Sequence, residues 1–436
     1  MKNINSMNLY LKLNKIIKIK NRVEYLYEYS KELDKFFNKK QNLFVEYNIS
    51  VEDVPDNILV IPFLSNMATI SWFVGFDIYV SSIDKDFYHS LLDIKKEFEI
   101  HYPEIKNKNT FLHSDELVQN NKIRTDKSAM LFSGGIDAFA TFFRHKKDHL
   151  DLVTIKGADI DITDDKQWNS LCSYNENTSV LKDYDKYYIQ SNIRKFYTFE
   201  VNKLLPNLSW WGYIQHGLSL ICLLSPLSFI NGYSKIYIAS SCSSYMDLSA
   251  WGSMPQIDEK ITWAGTTVIH DGYELKRQDK VDLIVSNAQN NGHDFRLRVC
   301  YSETNTDLNC SHCEKCYRSI LGILICGENP NLYGFSADQN IYVQIKNSIR
   351  GFKTEVTRYF WKEIVDKAKE SEPFIFSDSQ KEIELLQFKD LITYLEKICQ
   401  KDLAKTSKFQ KNKYWLIDKY PYLFNKYLKI RRKFLK

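Results

Sequence analysis

The sequence predicts an α/β protein built on a doubly wound parallel sheet, with a strand-rich N-terminal domain before it and a helical C-terminal extension after it. Three observations carry that reading. From about Ala129 short apolar runs alternate with helical stretches, the pattern that puts helices on both faces of a parallel sheet. Residues 1–124 instead begin with side chains that alternate between apolar and polar, and the chain after about Tyr333 turns helical, charged and Tyr-rich. At 436 residues, 44% of them hydrophobic and only 15 Gly and 9 Pro, the chain is long enough for two or three domains and can fill large cores.

Taken in order, Leu9-Tyr10-Leu11-Lys12-Leu13 and Leu43-Phe44-Val45-Glu46-Tyr47 read as antiparallel strands. A helix is expected over Asp86 to Phe98, and Gln119 to Lys127 reads as a linker. Parallel strands are expected at Ala129 to Phe132, Leu152 to Ile155, Lys186 to Gln190 and Lys235 to Ala239. Trp210 to Leu224 is long and apolar enough for a buried helix, and Lys276 to Asn290 is amphipathic. A helix from Glu314 through Ile325 should stop at Gly327, with Pro330 beyond, and Ser379 to Ile398 belongs to the extension. The implied domains are 1–124, 125–335 and 336–436.

The longest strongly apolar run, Leu218 to Ile230, is shorter than the roughly 20 residues that cross a bilayer and contains Pro226, so no transmembrane helix is expected. The first 25 residues carry Lys2, Lys12, Lys15, Lys18 and Lys20 without an apolar core and cleavage site, so nothing directs secretion and a cytoplasmic protein is expected. Net charge is +5 overall, but residues 401–436 hold twelve Lys or Arg against Asp402 and Asp418. That makes a basic tail on an acidic body. Tyr414, Trp415, Tyr420, Tyr422 and Phe424 interleave its charges, a mixture that suits base stacking on a nucleic acid and equally suits packing onto the body.

The most informative segment is Ser133-Gly134-Gly135-Ile136-Asp137-Ala138, set between an apolar strand and a helical run. Such a turn offers backbone N–H groups and a hydroxyl to an anion at the positive end of a helix, although a bare Ser-Gly-Gly is also an ordinary turn. A carboxylate just beyond a phosphate would repel it unless a divalent cation lay between, which makes Asp137 a candidate magnesium ligand. Neither a Gly-Lys dipeptide nor Gly-x-Gly-x-x-Gly occurs, so the Walker A loop and the dinucleotide fingerprint are both excluded.

Four of nine cysteines stand as Cys300-x9-Cys310-x2-Cys313-x2-Cys316, whereas Cys172, Cys222, Cys242, Cys326 and Cys399 are scattered. Four thiolates at that spacing can close on one tetrahedral ion, and full thiolate coordination leaves no position for water, so a structural zinc is expected. An iron–sulfur cluster is the rival.

The loop resembles the pyrophosphate-binding loop of the N-type ATP pyrophosphatases, the superfamily of GMP synthetase, asparagine synthetase, tRNA thiolases and 7-cyano-7-deazaguanine synthase. The cysteine spacing after such a domain is similar to the zinc site of the deazaguanine synthase. Two motifs in this order cover roughly Ala129 to Pro330 and leave both extensions outside the resemblance. It implies ATP, magnesium and zinc as cofactors, and adenylation of a carboxylate, a 7-deazaguanine derivative, for attack by ammonia or by an amine of a protein or nucleic-acid partner, as in bacterial defence. Ser133, Gly134, Gly135, Ile136 and Asp137 would hold the nucleotide, with Ser133 and Asp137 catalytic. The family usually has Ser or Thr where this chain has Ala138, so one hydroxyl contact is missing. Sulfur transfer to tRNA and a catalytically decayed binding or scaffold protein are the alternatives.

Doubly wound sheets bind ligands at the C-terminal ends of their strands, which nominates Asp159, Asp161, Ser191, Asn192, Arg194, Ser240 and Ser241. Asn192 and Ser240 are taken as nucleotide contacts. Trp251 to Pro255 with His270-Asp271-Gly272 reads as an active-site loop, and His216 as either a core residue or a nucleotide contact. Arg277 and Lys280 open a helix where cations oppose the dipole, which points to phosphate or carboxylate binding as their reason to be there, with plain solvation as the alternative.

Overall fold

A computed structural model describes residues 9–120, 125–206, 208–246, 251–300 and 308–401. The N-terminal region contributes β1 (Tyr10–Ile19), β2 (Arg22–Tyr29), β3 (Phe44–Tyr47), α1 (Asp56–Leu59), α2 (Ile61–Val74), β4 (Asp77–Asp84), α3 (Lys85–His101) and β5 (Leu112–Val118). Next come β6 (Ser128–Leu131), α4 (Ile136–His145), β7 (Leu150–Lys156), α5 (Asp165–Asn177), β8 (Lys186–Ser191), α6 (Phe199–Asn202), α7 (His216–Cys222) and α8 (Ser225–Asn231). They are followed by β9 (Lys235–Ala239), α9 (Pro255–Asp258), β10 (Thr262–Trp263), β11 (Thr266–Asp271), α10 (Arg277–Asn291) and α11 (Glu314–Leu324). Helices α12 (Ile341–Ser348), α13 (Glu355–Ala368) and α14 (Lys381–Cys399) complete the described chain.

All eleven strands join one sheet, in the order β10-β11-β9-β6-β7-β8-β3-β2-β1-β4-β5. Its heart is parallel: β11, β9, β6, β7 and β8 run the same way. The chain winds outward from β6 through β7 to β8, returns to place β9 on the other side of β6, and continues outward to β11. A crevice therefore opens between the C-terminal ends of β6 and β9, where the winding direction reverses.

The N-terminal strands extend this same sheet. β3 pairs antiparallel with β8, Val45 facing Ser191, and β2 and β1 follow antiparallel as expected. Strands β4 and β5 instead run parallel to β1. The cause is the crossover: the 17-residue α3 separates β4 from β5, and a helix of that length returns the chain in the same direction, which a hairpin cannot do. Helix α2 is not signalled by amphipathic spacing because it is buried on every side, including Ser65, Asn66, Thr69 and Ser71.

Alternate strand residues feed two cores. Ala129, Val153, Ile189, Ile236 and Val268 point to the face covered by the N-terminal helices and α7 and α8. Met130, Leu150, Leu152 and Tyr237 point to the opposite face, which α4, α10, α11 and the C-terminal helices α12 to α14 cover. The N-terminal and central regions thus share one sheet, and the helical C-terminal region shares the second core with the central one. The helical run Trp211–Asn231 is long and apolar enough by composition to cross a membrane, yet 72% of its most apolar window is buried inside the protein. Packing accounts for its hydrophobicity.

Close approach of two parallel strands at their C-terminal ends demands glycine at 157. Its φ is +100°, and a Cβ there would lie 1.8 Å from the Ser191 carbonyl oxygen. Gly157→Ala should cost about 3 kcal/mol or more, read as a lower urea midpoint with an unchanged denaturant slope.

Candidate anion site and metal centre

The Ser133–Asp137 loop leaves the end of β6, at the crevice where the winding reverses. Gly134 takes φ +76°, and the Gly135 N–H turns back toward the Ser133 hydroxyl at 3.4 Å. Gly135 then caps α4, so the first N–H groups of that helix face the crevice mouth. Ile136 is buried in the core and offers the site only its backbone. Ala138 is likewise buried at 3% exposure among the apolar side chains under α4. The side chain at that position packs inward.

Asp137 sits at the head of α4 with its side chain 21% exposed, and two cations from α10 hold it. Arg277 Nη1 donates to Oδ2 at 2.5 Å and Lys280 Nζ to Oδ1 at 3.4 Å. Lys280 also donates to the Ser240 carbonyl oxygen at 2.5 Å, just past β9. Burial pushes the Asp137 carboxyl up, but the neighbouring Arg277 and Lys280 outweigh it and hold the group below the usual carboxylate range. Burial pulls Lys280 below the usual ammonium range, with Asp137 opposing. Three residues singled out separately, together with Ser240, meet at one point across β6, β9 and α10.

This geometry corrects one expectation. Both oxygens of Asp137, the carboxylate of the loop, already face cations, and a divalent ion beside Arg277 and Lys280 would meet their charge at close range. The donor set does not fit a magnesium site, and Asp137 instead anchors the two cations. Their positive charge stands where magnesium was expected.

Asn192 is a second correction. Its side-chain amide is 1% exposed, accepts from the Phe44 N–H at 2.9 Å and donates to the Asn42 carbonyl at 2.8 Å. Both ends of the amide tie β8 to the N-terminal strands, so its contacts are structural rather than the nucleotide contact expected. The Trp251–Pro255 segment is structural as well: Gly252 and Gly217 are packed backbone to backbone, and Ser253 and His270 both bond Asp258 Oδ2, at 2.6 and 2.7 Å. Asp271 holds Thr141 and His145. His216 is driven toward the neutral form by burial, and its Nδ1 makes no hydrogen bond among the described residues.

The four spaced cysteines come together. Their sulfurs all lie within 4.8 Å of one another, with Cys300–Cys313 and Cys310–Cys316 at 3.8 Å and Cys313–Cys316 at 3.5 Å. Four sulfurs at roughly 2.3 Å from one ion at tetrahedral corners lie about 3.8 Å apart, whereas a disulfide needs about 2.05 Å. The cluster can hold a metal ion. Cys313 caps α11 and Cys316 lies in its first turn, while Ser311 makes the knuckle with φ +59°. Asn309 ties this knuckle to the strand-like segment before Cys300, accepting from the Val299 N–H at 2.9 Å and donating to the Leu297 carbonyl at 2.6 Å. Between those two residues, the Arg298 N–H donates to the Gly134 carbonyl at 2.7 Å. The cysteine cluster and the Ser133–Asp137 loop are therefore one hydrogen-bonded assembly.

Several contributors are not named by the sequence reading. Arg298 braces the loop, and Lys315 and Arg318 project from the first turns of α11; burial pulls Lys315 down to about 8. Like Arg277 and Lys280, these two are cations near a helix N-terminus, where they oppose the dipole. Helix α13 carries no such signal. It delivers Phe360 beneath the guanidinium groups of Arg318 and Arg277, at 4.5 and 5.7 Å, Trp361 to Glu314 at 2.8 Å, and Glu363 to the Arg277 N–H at 2.9 Å. No protein-family model matches the chain, and neither a curated protein nor a solved structure matches it.

Protein purified without chelator should carry one zinc per chain and no iron by elemental analysis. Cys313→Ser should lose that metal and lower stability by more than about 3 kcal/mol, since the uncompensated thiolates can no longer close the knuckle that braces Gly134.

Proposed function

We propose that the chain is an ATP-dependent carbon–nitrogen ligase, similar in chemistry to 7-cyano-7-deazaguanine synthase, with a structural zinc in the Cys300, Cys310, Cys313 and Cys316 cluster. The observation that supports it is the convergence of the Ser133–Asp137 loop with Arg277 and Lys280 at the switch point of the parallel sheet. Loop N–H groups and two fixed cations suit the phosphates of ATP, and they concentrate positive charge where a pyrophosphate group would depart. In this reading a carboxylate oxygen of the substrate attacks the α-phosphorus, the bond to pyrophosphate breaks, and the leaving charge is taken up by Arg277 and Lys280. An amine nitrogen then attacks the acyl carbon, AMP leaves, and an amide remains. The carboxylate is proposed to be a 7-deazaguanine derivative, and the nitrogen donor ammonia or an amine of a macromolecule.

Asp137→Asn should loosen the hold on both cations and reduce AMP and pyrophosphate formation about a hundredfold or more, with far-UV circular dichroism unchanged. Wild-type turnover in that variant, measured with ATP, the carboxylate and ammonia by mass spectrometry, would overturn the reading. The basic tail after Lys401 lies outside the described residues. If exposed, it favours a nucleic-acid acceptor over a packing role, and removing residues 402–436 should then abolish a nucleic-acid affinity that otherwise falls steeply between about 50 and 200 mM salt.

A further inference from the structure

Helix α13 belongs to the C-terminal extension, yet it packs on the first turns of both α10 and α11, and α10 supplies the two cations that hold Asp137. Its Glu363 is 9% exposed. Oε2 accepts from the Arg277 N–H, while Oε1 is buried and makes no hydrogen bond of normal geometry among the described residues. The same Arg277 extends its guanidinium to Asp137. One residue thus joins the Glu363 carboxyl to the loop.

We propose that Glu363 is a positioning residue that couples anion binding at the Ser133–Asp137 loop to the uptake of one proton. The inference rests on the reading of that loop as an anion site. Asp137, Arg277 and Lys280 together carry one net positive charge, and an ionised Glu363 cancels it. An anion seated on Arg277 repels an ionised Glu363 through a poorly solvated interior, and a proton on Glu363 removes the repulsion while leaving its carbonyl oxygen to hold the Arg277 N–H. Phosphate-bearing ligands are accordingly held best when Glu363 is a neutral acid.

The surroundings of the carboxyl agree. Burial raises it to about 7, with the Arg277 N–H, Lys276 and Tyr359 opposing the rise and Asp279 adding to it. Lys276, Arg277 and Asp279 face it from α10 and Tyr359 from its own helix, while Arg318 and Glu314 of α11 meet α13 at Phe360 and Trp361. A bound anion raises this value further. Affinity is then highest below pH 7, falls as pH rises above 7 toward the higher value of the bound state, and levels off beyond it.

Inorganic sulfate stays a dianion throughout this range and is the probe. Calorimetric titration of the wild-type protein at constant ionic strength should show affinity falling about tenfold between pH 6.5 and 9. Glu363→Gln, a permanent neutral mimic, should bind at pH 9 as tightly as the wild type does at pH 6.5 and lose the dependence. Tyr359→Phe removes a group that lowers the carboxyl, so it should move the fall to higher pH without changing either plateau. A Glu363→Gln protein that binds more weakly, or keeps the wild-type slope, overturns the proposal and assigns the slope to Lys315. A fall left unmoved by Tyr359→Phe overturns it also. Failure of the wild type to bind sulfate at any pH overturns the anion-site reading itself, and the proton coupling with it.

Discussion

A carboxylate set into the mouth of a parallel sheet cannot stay there unpaired, and the pairing of Asp137 with Arg277 and Lys280 is the constraint on which the rest of the site depends. The pair of cations must come from one rigid element to reach both oxygens, which fixes where α10 begins and how it lies across α4. Two cations at a helix N-terminus work against the helix dipole, so that end needs compensation. It receives it from Asp279, which accepts from the Lys276 N–H at 2.9 Å, and from Glu363. The arrangement keeps Arg277 and Lys280 paired with Asp137 and largely shielded from solvent.

The cysteine knot solves a different problem. The Ser133–Asp137 loop is short and turns sharply at Gly134, and a turn of that kind holds its shape only if something braces its outer side. Arg298 does so through its backbone N–H and by packing its Cβ 3.3 Å from the Cβ position of Gly134. Arg298 in turn stands two residues from Cys300 and between the two backbone groups that Asn309 holds. A metal at the four sulfurs would therefore set the geometry of the anion loop without touching a ligand, which is a structural role with a functional reach.

The extensions are part of the same body. The N-terminal strands complete the sheet through β3 and β8, and Asn192 is the bolt at that seam. Helix α13 buries Trp361 against α10 and α11, and α14 buries Leu391 and Leu395 behind it against α12 and α13. Helix α13 is held by the same contacts that reach Arg277, so the extension touches the crevice as well as covering that face of the sheet.

Local patterns determined a good deal. Apolar runs bounded by turn formers placed β6 to β9 and the lengths of α3 and α10 within a few residues, because period-2 and period-3.6 spacing are properties of the chain alone. The Ser-Gly-Gly turn, the opposed cations at 277 and 280, and the cysteine spacing were equally legible, since each is a short-range chemical oddity that a plain fold does not need. Tertiary structure alone decided the rest. Asn192 and Asn309 carry the same side chain and both became backbone clamps, a role set by which strands arrive beside them. The parallel course of β4 and β5 followed from a crossover, and the burial of α2 from its being covered on every side. Glu363 reaches Arg277 across 86 residues of chain. No periodicity or motif encodes such an approach, because it is created only when two helices pack, and the charge state of that carboxyl is a property of the packed site.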